Sequence, residues 1–519
     1  MGAPFVLAAC SMAPNYERPA LPVIDQFPAS SSATEGTLED QKFAYQITWE
    51  EYFKDPRLKE YIGLALVNNS DLKEATLKLE EARLAYGISI SEQLPGFNGS
   101  GSFSRSKTGA VNTQDGISSI AERSSANFGI SSFELDFFGR AASLSDAAFA
   151  LYLASEEGQK AAQIALVSGV SRGYLAVVLA EEQLRVAKET LNSNRASFNL
   201  VQQQVEAGIA NDLDLAQARG QVFSAQASVA EVDRRLGKAK NELYKLVGAV
   251  ATDLPKGLPL RSSEFTAVLP VGLPSQVLLV RPDVIAAEYK LLAANANIGA
   301  ARAAFFPSVS LTSTFGNASS ELSDLFKGGT SGWIFSPQIN LPIFNWGKIQ
   351  QNLDLSYVRK NMEIVNYEKV IQTAFQEVSD GLVSKKPLND QLIAQRNLVA
   401  TSAEQLRLAD LLYTNGIASY LDVLDAQRTL FASRQALLTT YFEKHNNDIM
   451  LYAALGGGAG PINLPEGFQR TVYMDARAAD NPVTKGTVAI KQQLATEEAQ
   501  QDGGIFLGIE EIVVETTAK

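Results

Sequence analysis

The chain has 519 residues, 46% of them hydrophobic and 20% charged, and a formal net charge of −12. This is the composition of a folded protein, and its acidic balance argues against a nucleic-acid partner. With one histidine (His445) and one cysteine (Cys10), a His/Cys metal site or a Cys–His or Ser–His dyad could form around one centre at most; no metal and no cofactor are expected.

Residues 1–9 read as a partial signal segment. Leu7-Ala8-Ala9-Cys10-Ser11 sets small residues before the lone cysteine and resembles a bacterial lipoprotein cleavage and acylation site. Met1-Gly2-Ala3-Pro4 lacks a basic opening and the apolar segment is short for a full signal peptide, so the true start is expected upstream or trimmed away. One acyl anchor is a weak tether and would assist membrane placement rather than define it. Residues 10–48, rich in Pro, Ser and Ala, predict an extended, lipid-anchored arm.

A first repeat is expected over 49–248. Helical spacing runs from Trp49 to Gln93, with a break at Asn68-Asn69-Ser70-Asp71, where Ser70 or Asp71 suits a cap and Leu72, Leu77, Leu79 and Leu84 supply an apolar face. Strands follow at about 97–107 and 124–138. In the first, Phe97, Gly99, Gly101 and Phe103 alternate with Asn98, Ser100, Ser102 and Ser104. The second is mixed: Ala126, Phe128 and Ile130 share one face, then Phe133, Leu135 and Phe137 take the other. Residues 142 to 206 contain no proline and predict a helix of about 100 Å. The tract 212–248 has heptad spacing, with Val222, Val229, Leu236 and Leu243 beside Ala218, Ala225, Val232 and Ala239.

A Pro/Gly-rich linker, 249–280, joins this to a second repeat at 281–458. Its strands are expected at about 308–317 and 332–343, where Val309, Leu311 and Phe315 alternate with Ser310, Thr312 and Thr314. A helical tract at 349–413, interrupted at Pro387, and a heptad tract with Val423, Leu430 and Leu437 follow. Residues 459–519 form a polar, acidic C-terminal segment and tail. There is no apolar run of 18 residues, so no transmembrane helix is expected.

The two halves match about 208 to 212 residues apart. Leu94-Pro95 returns as Phe306-Pro307, Gly139-Arg140 as Gly347-Lys348, and Ala207-Gly208-Ile209-Ala210 as Asn415-Gly416-Ile417-Ala418. One half was duplicated. Four strands of about ten residues have the length of tilted membrane strands, yet four cannot close, and an open edge in lipid strands backbone polar groups. Either they form a small soluble sheet or several chains each donate four strands. Three chains would give twelve, enclosing water.

The run Arg281-Pro282-Asp283-Val284 through Ala294-Asn295-Ala296-Asn297-Ile298-Gly299 to Phe306-Pro307, with Cys10, Pro14, Tyr16 and Pro19 and with Leu421-Asp422-Val423-Leu424-Asp425-Ala426-Gln427, resembles the TolC-like outer-membrane efflux family in its lipoprotein (OprM/NodT-like) branch. The resemblance covers roughly 10–460. It implies an internally duplicated protomer that mixes an all-α coiled-coil barrel with a membrane β-barrel. Its homotrimer would form a 12-stranded barrel in outer-membrane lipid, continued by a 12-helix periplasmic tunnel. The implied partners are a periplasmic adaptor (membrane fusion) protein and an inner-membrane resistance-nodulation-division pump, and the implied location is the outer membrane of a Gram-negative bacterium.

Cys10 is the expected lipidation site. By the same resemblance, Asp422 and Asp425 would face the lumen as rings of carboxylates, with capping and helix-dipole stabilisation as the alternative reading. Tyr413 and Arg428 would hold this gate through hydrogen bonds to a neighbouring helix. Asp212 and Asp214 are expected to cap. Gly208-Ile209-Ala210 and Gly416-Ile417-Ala418 would be helical tips that meet the adaptor. Phe138-Gly139-Arg140 and Trp346-Gly347-Lys348 suit a membrane interface or a strand-to-helix junction, and His445 is expected on a helix surface. The function expected is a passive duct exporting drugs or other small toxic solutes. The alternatives are a type I protein-secretion duct and, in a different class, a periplasmic coiled-coil adaptor or scaffold. No nucleophile–base–orienter set can be assembled, so an enzyme is not expected.

Overall fold

The computed structural model describes residues 12–27, 43–109, 118–263, 265–269 and 275–459. Cys10, most of the arm before 43 and the tail after 459 lie outside the described residues. In chain order the elements are α1 (Trp49–Tyr52), α2 (Pro56–Asn68), α3 (Ser70–Ser91), β1 (Phe97–Thr108), β2 (Ser119–Leu135), α4 (Arg140–Glu206), α5 (Asp212–Val247), α6 (Pro282–Ala303), β3 (Ser308–Ser319), β4 (Ser331–Asn340), α7 (Lys348–Thr414) and α8 (Tyr420–Ala454). The chain divides into two compact units, one of residues 1–20, 77–156 and 286–368, the other of 21–76, 157–285 and 369–519.

In the first unit the four strands form one antiparallel sheet in the order β1-β2-β3-β4. β2 comes from one half of the duplication and β3 from the other, so the halves are joined by backbone hydrogen bonds, and β1 and β4 are left as edges. The mixed pattern of β2 resolves at a bulge. Ile130 pairs with Ser313 but Phe133 pairs with Leu311, so an extra residue enters where Ser132 takes a left-handed φ of 53°. Phe133 and Leu135 therefore return to the face of Ala126, Phe128 and Ile130 instead of taking the other. Cross-strand pairs then run Phe97–Ile130 and Gly99–Phe128, Phe128–Phe315, and Phe315–Trp333 and Val309–Ile339. That face carries an apolar band from edge to edge, broken by Ser313 and, toward the β1–β2 turn, by Ser124 and the Arg105–Glu122 pair. The other carries Asn98, Ser100 and Ser102, then Ser125 and Asn127, then Ser310, Thr312 and Thr314, then Ser336 and Gln338.

The same unit holds the start of the described chain against α6. Residues 12–18 run antiparallel to one face of that helix. Arg302 donates to the Met12 carbonyl (3.1 Å) and Asn295 to the Pro14 carbonyl (2.8 Å). Arg18 makes a bidentate pair (2.6 and 2.9 Å) with Glu288, which is buried and also accepts from the Tyr16 hydroxyl at 2.9 Å. A Cβ on Gly299 would lie 2.8 Å from the Ala13 nitrogen, which is why the face is glycine where the arm crosses it.

The second unit has an aromatic core in which Tyr52 stacks on Tyr452 at 3.8 Å between ring centres. Arg281, nearly buried, reaches Asp283 (2.7 Å), Glu377 (2.9 Å) and the Ala454 carbonyl (2.7 Å).

Several expectations are corrected. Asn69, not Ser70 or Asp71, caps α3, accepting from the Leu72 amide at 2.9 Å. On that helix Leu79 and Tyr86 are buried, whereas Leu77 and Leu84 are exposed. Helix α7 runs through Pro387 without interruption; Pro387 and Val383 are exposed, so the carbonyl that loses its amide donor faces water. His445 is buried rather than on the surface, with Nε2 3.0 Å from the Leu260 carbonyl and its ring against Phe265. Burial lowers its pKa, with Lys444 adding to the effect. One 18-residue window of α4 has a mean hydropathy of 1.5 and so passes a length-and-composition test for a membrane span, but 56% of it is buried within the protein.

Deleting Ser132 removes the extra residue and leaves a regular strand in which Ile130 and Phe133 still share a face, opposite Ser313 and Leu311. The expected outcome is a folded oligomer retained in outer-membrane extracts, read by native mass in detergent. Loss of the oligomer would show that the bend at the bulge is required as well as the parity.

Candidate functional site

The candidate site lies in the second unit, where two helical hairpins end alike. At the α4–α5 turn, Gly208 has φ 73°, its amide meets the Val205 carbonyl (2.9 Å), and the Ile209 amide meets the Gln204 carbonyl (2.8 Å). At the α7–α8 turn, Gly416 has φ 72°, its amide meets the Tyr413 carbonyl (2.9 Å), and the Ile417 amide meets the Leu412 carbonyl (2.9 Å). Both are left-handed helix stops that a side chain would strain. Each turn exposes one isoleucine, Ile209 at 78% and Ile417 at 74%.

The hairpins pack through Val201 of α4, Ala218 of α5, Ala409 of α7 and Tyr420, Val423, Leu424 and Ala426 of α8. Polar contacts lie beside this cluster. The Tyr413 hydroxyl donates to Gln204 of α4 at 2.6 Å, and its ring sits 5.5 Å from that of Tyr420. Burial, with Tyr413, Asp410 and Asp214 nearby, pushes the Tyr420 hydroxyl up to about 12. With the Gln221 amide turned oxygen-first, Arg428 donates to it from Nε (3.2 Å) and Nη2 (2.7 Å). Arg428 also borders a cavity of about 620 Å³ lined by residues of α4, α5 and α8.

Asp422 and Asp425 are both exposed on the first turns of α8. Asp422 accepts from the Ser419 amide (3.0 Å) and hydroxyl (2.7 Å), closing a capping box. At the other hairpin Asn211 is the cap, accepting from the Asp214 amide at 2.9 Å, where Asp212 and Asp214 had been expected to serve. Ser419-x-x-Asp422 was legible as a capping box; the Tyr413–Gln204 and Arg428–Gln221 contacts link residues far apart in sequence and left no local signal. Gly139 (φ 71°) and Gly347 (φ 79°) both lie at strand-to-helix turns, where Phe138 stacks on Phe306 at 4.7 Å. Among the described residues no cluster of His, Cys, Asp and Glu could hold a metal ion.

The model of the family described as outer membrane efflux protein matches residues 61–249 and 273–457. The chain belongs to that family. It is 45% identical over 454 residues to the cation efflux system protein CusC of Escherichia coli K12, covering 87% of this chain and 97% of that one. It is 43% identical to the toluene efflux pump outer membrane protein TtgC of Pseudomonas putida (88% and 94% covered) and 42% identical to SilC of Salmonella typhimurium, a probable outer membrane lipoprotein (88% and 97% covered). A crystal structure of CusC matches with a TM-score of 0.78 at 44% identity, over 86% of this chain and all of that one. The chain is thus an outer-membrane efflux channel component. Its fold is the duplicated protomer of a trimeric channel in which a β-barrel is joined to a helical tunnel. The family is one of channels, not of enzymes.

Replacing Asp422 with Ala should fray the start of α8 at a cost of about 1 kcal/mol, and Tyr413→Phe should loosen the turn by a similar amount, about 1 kcal/mol. Faster amide exchange at 415–424 in the first variant and at 204–210 in the second is the expected readout.

Proposed function

We propose that three copies of this chain form a passive duct through which an inner-membrane pump, joined by a periplasmic adaptor, expels small toxic solutes unchanged. The observation that carries this reading is the sheet with one face largely apolar, one largely polar and two open edges. Such a sheet is unstable alone in lipid and satisfied when other copies extend it into a water-filled barrel. A coiled-coil adaptor would have no use for it. The adaptor and the resistance-nodulation-division pump come from the family's role in tripartite systems. The substrate is set elsewhere: relatives named for cations and for toluene are 45% and 43% identical to this chain, so identity to the channel does not divide metal from organic cargo.

The two hairpin turns, each with an exposed isoleucine at a glycine stop, are the proposed contacts for the adaptor: Gly208-Ile209-Ala210 and Gly416-Ile417-Ala418. Asp422 and Asp425 are the proposed gate, with Tyr413 and Arg428 bracing the helices behind them. Three copies would bring six carboxylates near one axis and favour cations there. In planar-bilayer recordings at low salt, the variant with both Asp422→Ala and Asp425→Ala should lose its cation preference. The wild-type preference should weaken as salt rises, because exposed charges are screened over about 8 Å at physiological ionic strength. Unchanged selectivity in the double variant would leave the two residues as helix-capping and surface charges only.

Cys10 is proposed as the acylated residue that anchors the arm. Labelled palmitate should enter the full-length protein and not Cys10→Ser, which should keep part of its export activity because the barrel carries insertion. Equal labelling of both proteins would remove Cys10 from that role.

A further inference from the structure

The cavity of about 620 Å³ beside Arg428, walled by α4, α5 and α8, is bordered by polar groups that the fold leaves unsatisfied. Asn194 of α4 and Gln427 of α8 both line it, and each is more than nine-tenths buried. Their nitrogens are spent. The Asn194 amide donates to the Gln221 carbonyl at 3.3 Å, and the Gln427 amide to the Ser197 hydroxyl at 3.1 Å. Their side-chain oxygens have no hydrogen-bond partner among the described residues. A buried acceptor without a donor bears its desolvation cost uncompensated. Two such oxygens on the residues of one cavity mark a place where donors are wanted.

The hydroxyls that line the cavity add to the same need. Thr190 donates to the Val186 carbonyl (2.9 Å) and Ser228 to the Ser224 carbonyl (3.1 Å), each on its own helix. Their hydrogens are thereby used, and their oxygens remain as acceptors. The α5 wall also contains Gly220. Glycine within a helix is less stable than alanine, and a Cβ here would meet nothing within 4 Å. Close packing therefore does not require this glycine. What it preserves is room in the cavity, whose volume lies in the range of about 300–1,000 Å³ common for small-molecule sites.

The walls also decide the charge of an occupant. Among the described residues lining the cavity, Arg428 is the one charged side chain. With a guanidinium and no carboxylate, the site suits neither a metal ion nor an organic ammonium. The guanidinium is itself engaged by the Gln221 side-chain oxygen, so an anion would have to displace that contact. Turning Gln221 oxygen-first toward Arg428 leaves its nitrogen as a donor. Four acceptor oxygens, one amide donor and the aromatic ring of Phe431 match a neutral solute that carries many hydroxyls on an apolar ring. We infer that this cavity is a binding site for an uncharged sugar of disaccharide size, held between Asn194, Gln427 and the Gly220 side of α5. The sugar is a ligand of the helical wall and not cargo of the duct, and the site does not depend on Asp422 and Asp425 acting as a gate.

The test uses the full-length protein purified in a detergent without a sugar headgroup. Cellobiose and diacetylchitobiose are titrated separately by calorimetry. At least one should bind saturably and should slow amide exchange at 190–194, 217–228 and 424–431; which of the two binds tells whether the acetamido groups are read. Gly220→Leu fills the cavity while favouring the helix, so it should keep or raise the melting temperature and abolish the binding. Asn194→Leu should weaken binding about tenfold through the lost acceptor. No saturable heat from either sugar at millimolar concentration, with the protein folded, would overturn the proposal. So would binding that survives in Gly220→Leu, because the sugar would then sit elsewhere on the protein. Should Asn194→Leu fail to fold, Gly220→Leu decides by itself.

Discussion

The structure depends on the need of every backbone amide and carbonyl in lipid for a partner. A helix meets that need within itself; a sheet meets it only by closing. Here β2 and β3 bond to each other across the two halves of the duplication, leaving β1 and β4 open. From that follow the single apolar face, the requirement for further copies, and the placement of helices before and after the strands, where coverage must also come from outside the protomer. The bulge at Ser132 serves the same constraint. It lets β2 change parity without turning two large side chains onto the polar surface.

Duplication explains why the distant hairpins agree so closely. Gly208 and Gly416 differ by one degree in φ and end their helices with the same pair of amide bonds, yet the capping groups differ. Asn211 alone serves α5, whereas Ser419 and Asp422 together serve α8. Backbone geometry has been kept where only glycine fits, and side chains have drifted where several can do the work. That drift puts a carboxylate in the cap of one hairpin only.

Much of the architecture was legible locally. The strand alternation, the repeat, the glycine stops and the heptads are short-range patterns that read directly as elements. The reading broke down where tertiary context decides. The parity of β2 depends on a bulge, which appears only in the register against β3. Asn69 rather than Ser70 caps α3 because its amide nitrogen also donates to the Leu246 carbonyl, a contact 177 residues away. Pro387 is tolerated because the helix there is solvated. Leu77 and Leu84 looked like core on periodicity, and periodicity cannot say whether an apolar stripe is covered by its own chain or by another. At the tips the residue types were visible, but the partners Gln204 and Gln221 sit on other helices.

The clamp between Arg18 and Glu288 sets an order in time. The two residues are 270 apart in sequence, so residues 12–18 have no docking surface until the start of the second half has emerged and α6 has formed. A contact of such long range adds nothing to early folding and closes late. While it is open, residues 12–18 stay undocked; once α6 is complete, Glu288 draws Arg18 and Tyr16 down and the segment is fixed along the helix. The same buried carboxylate thus separates a period when residues 12–18 are undocked from one when they are held in place.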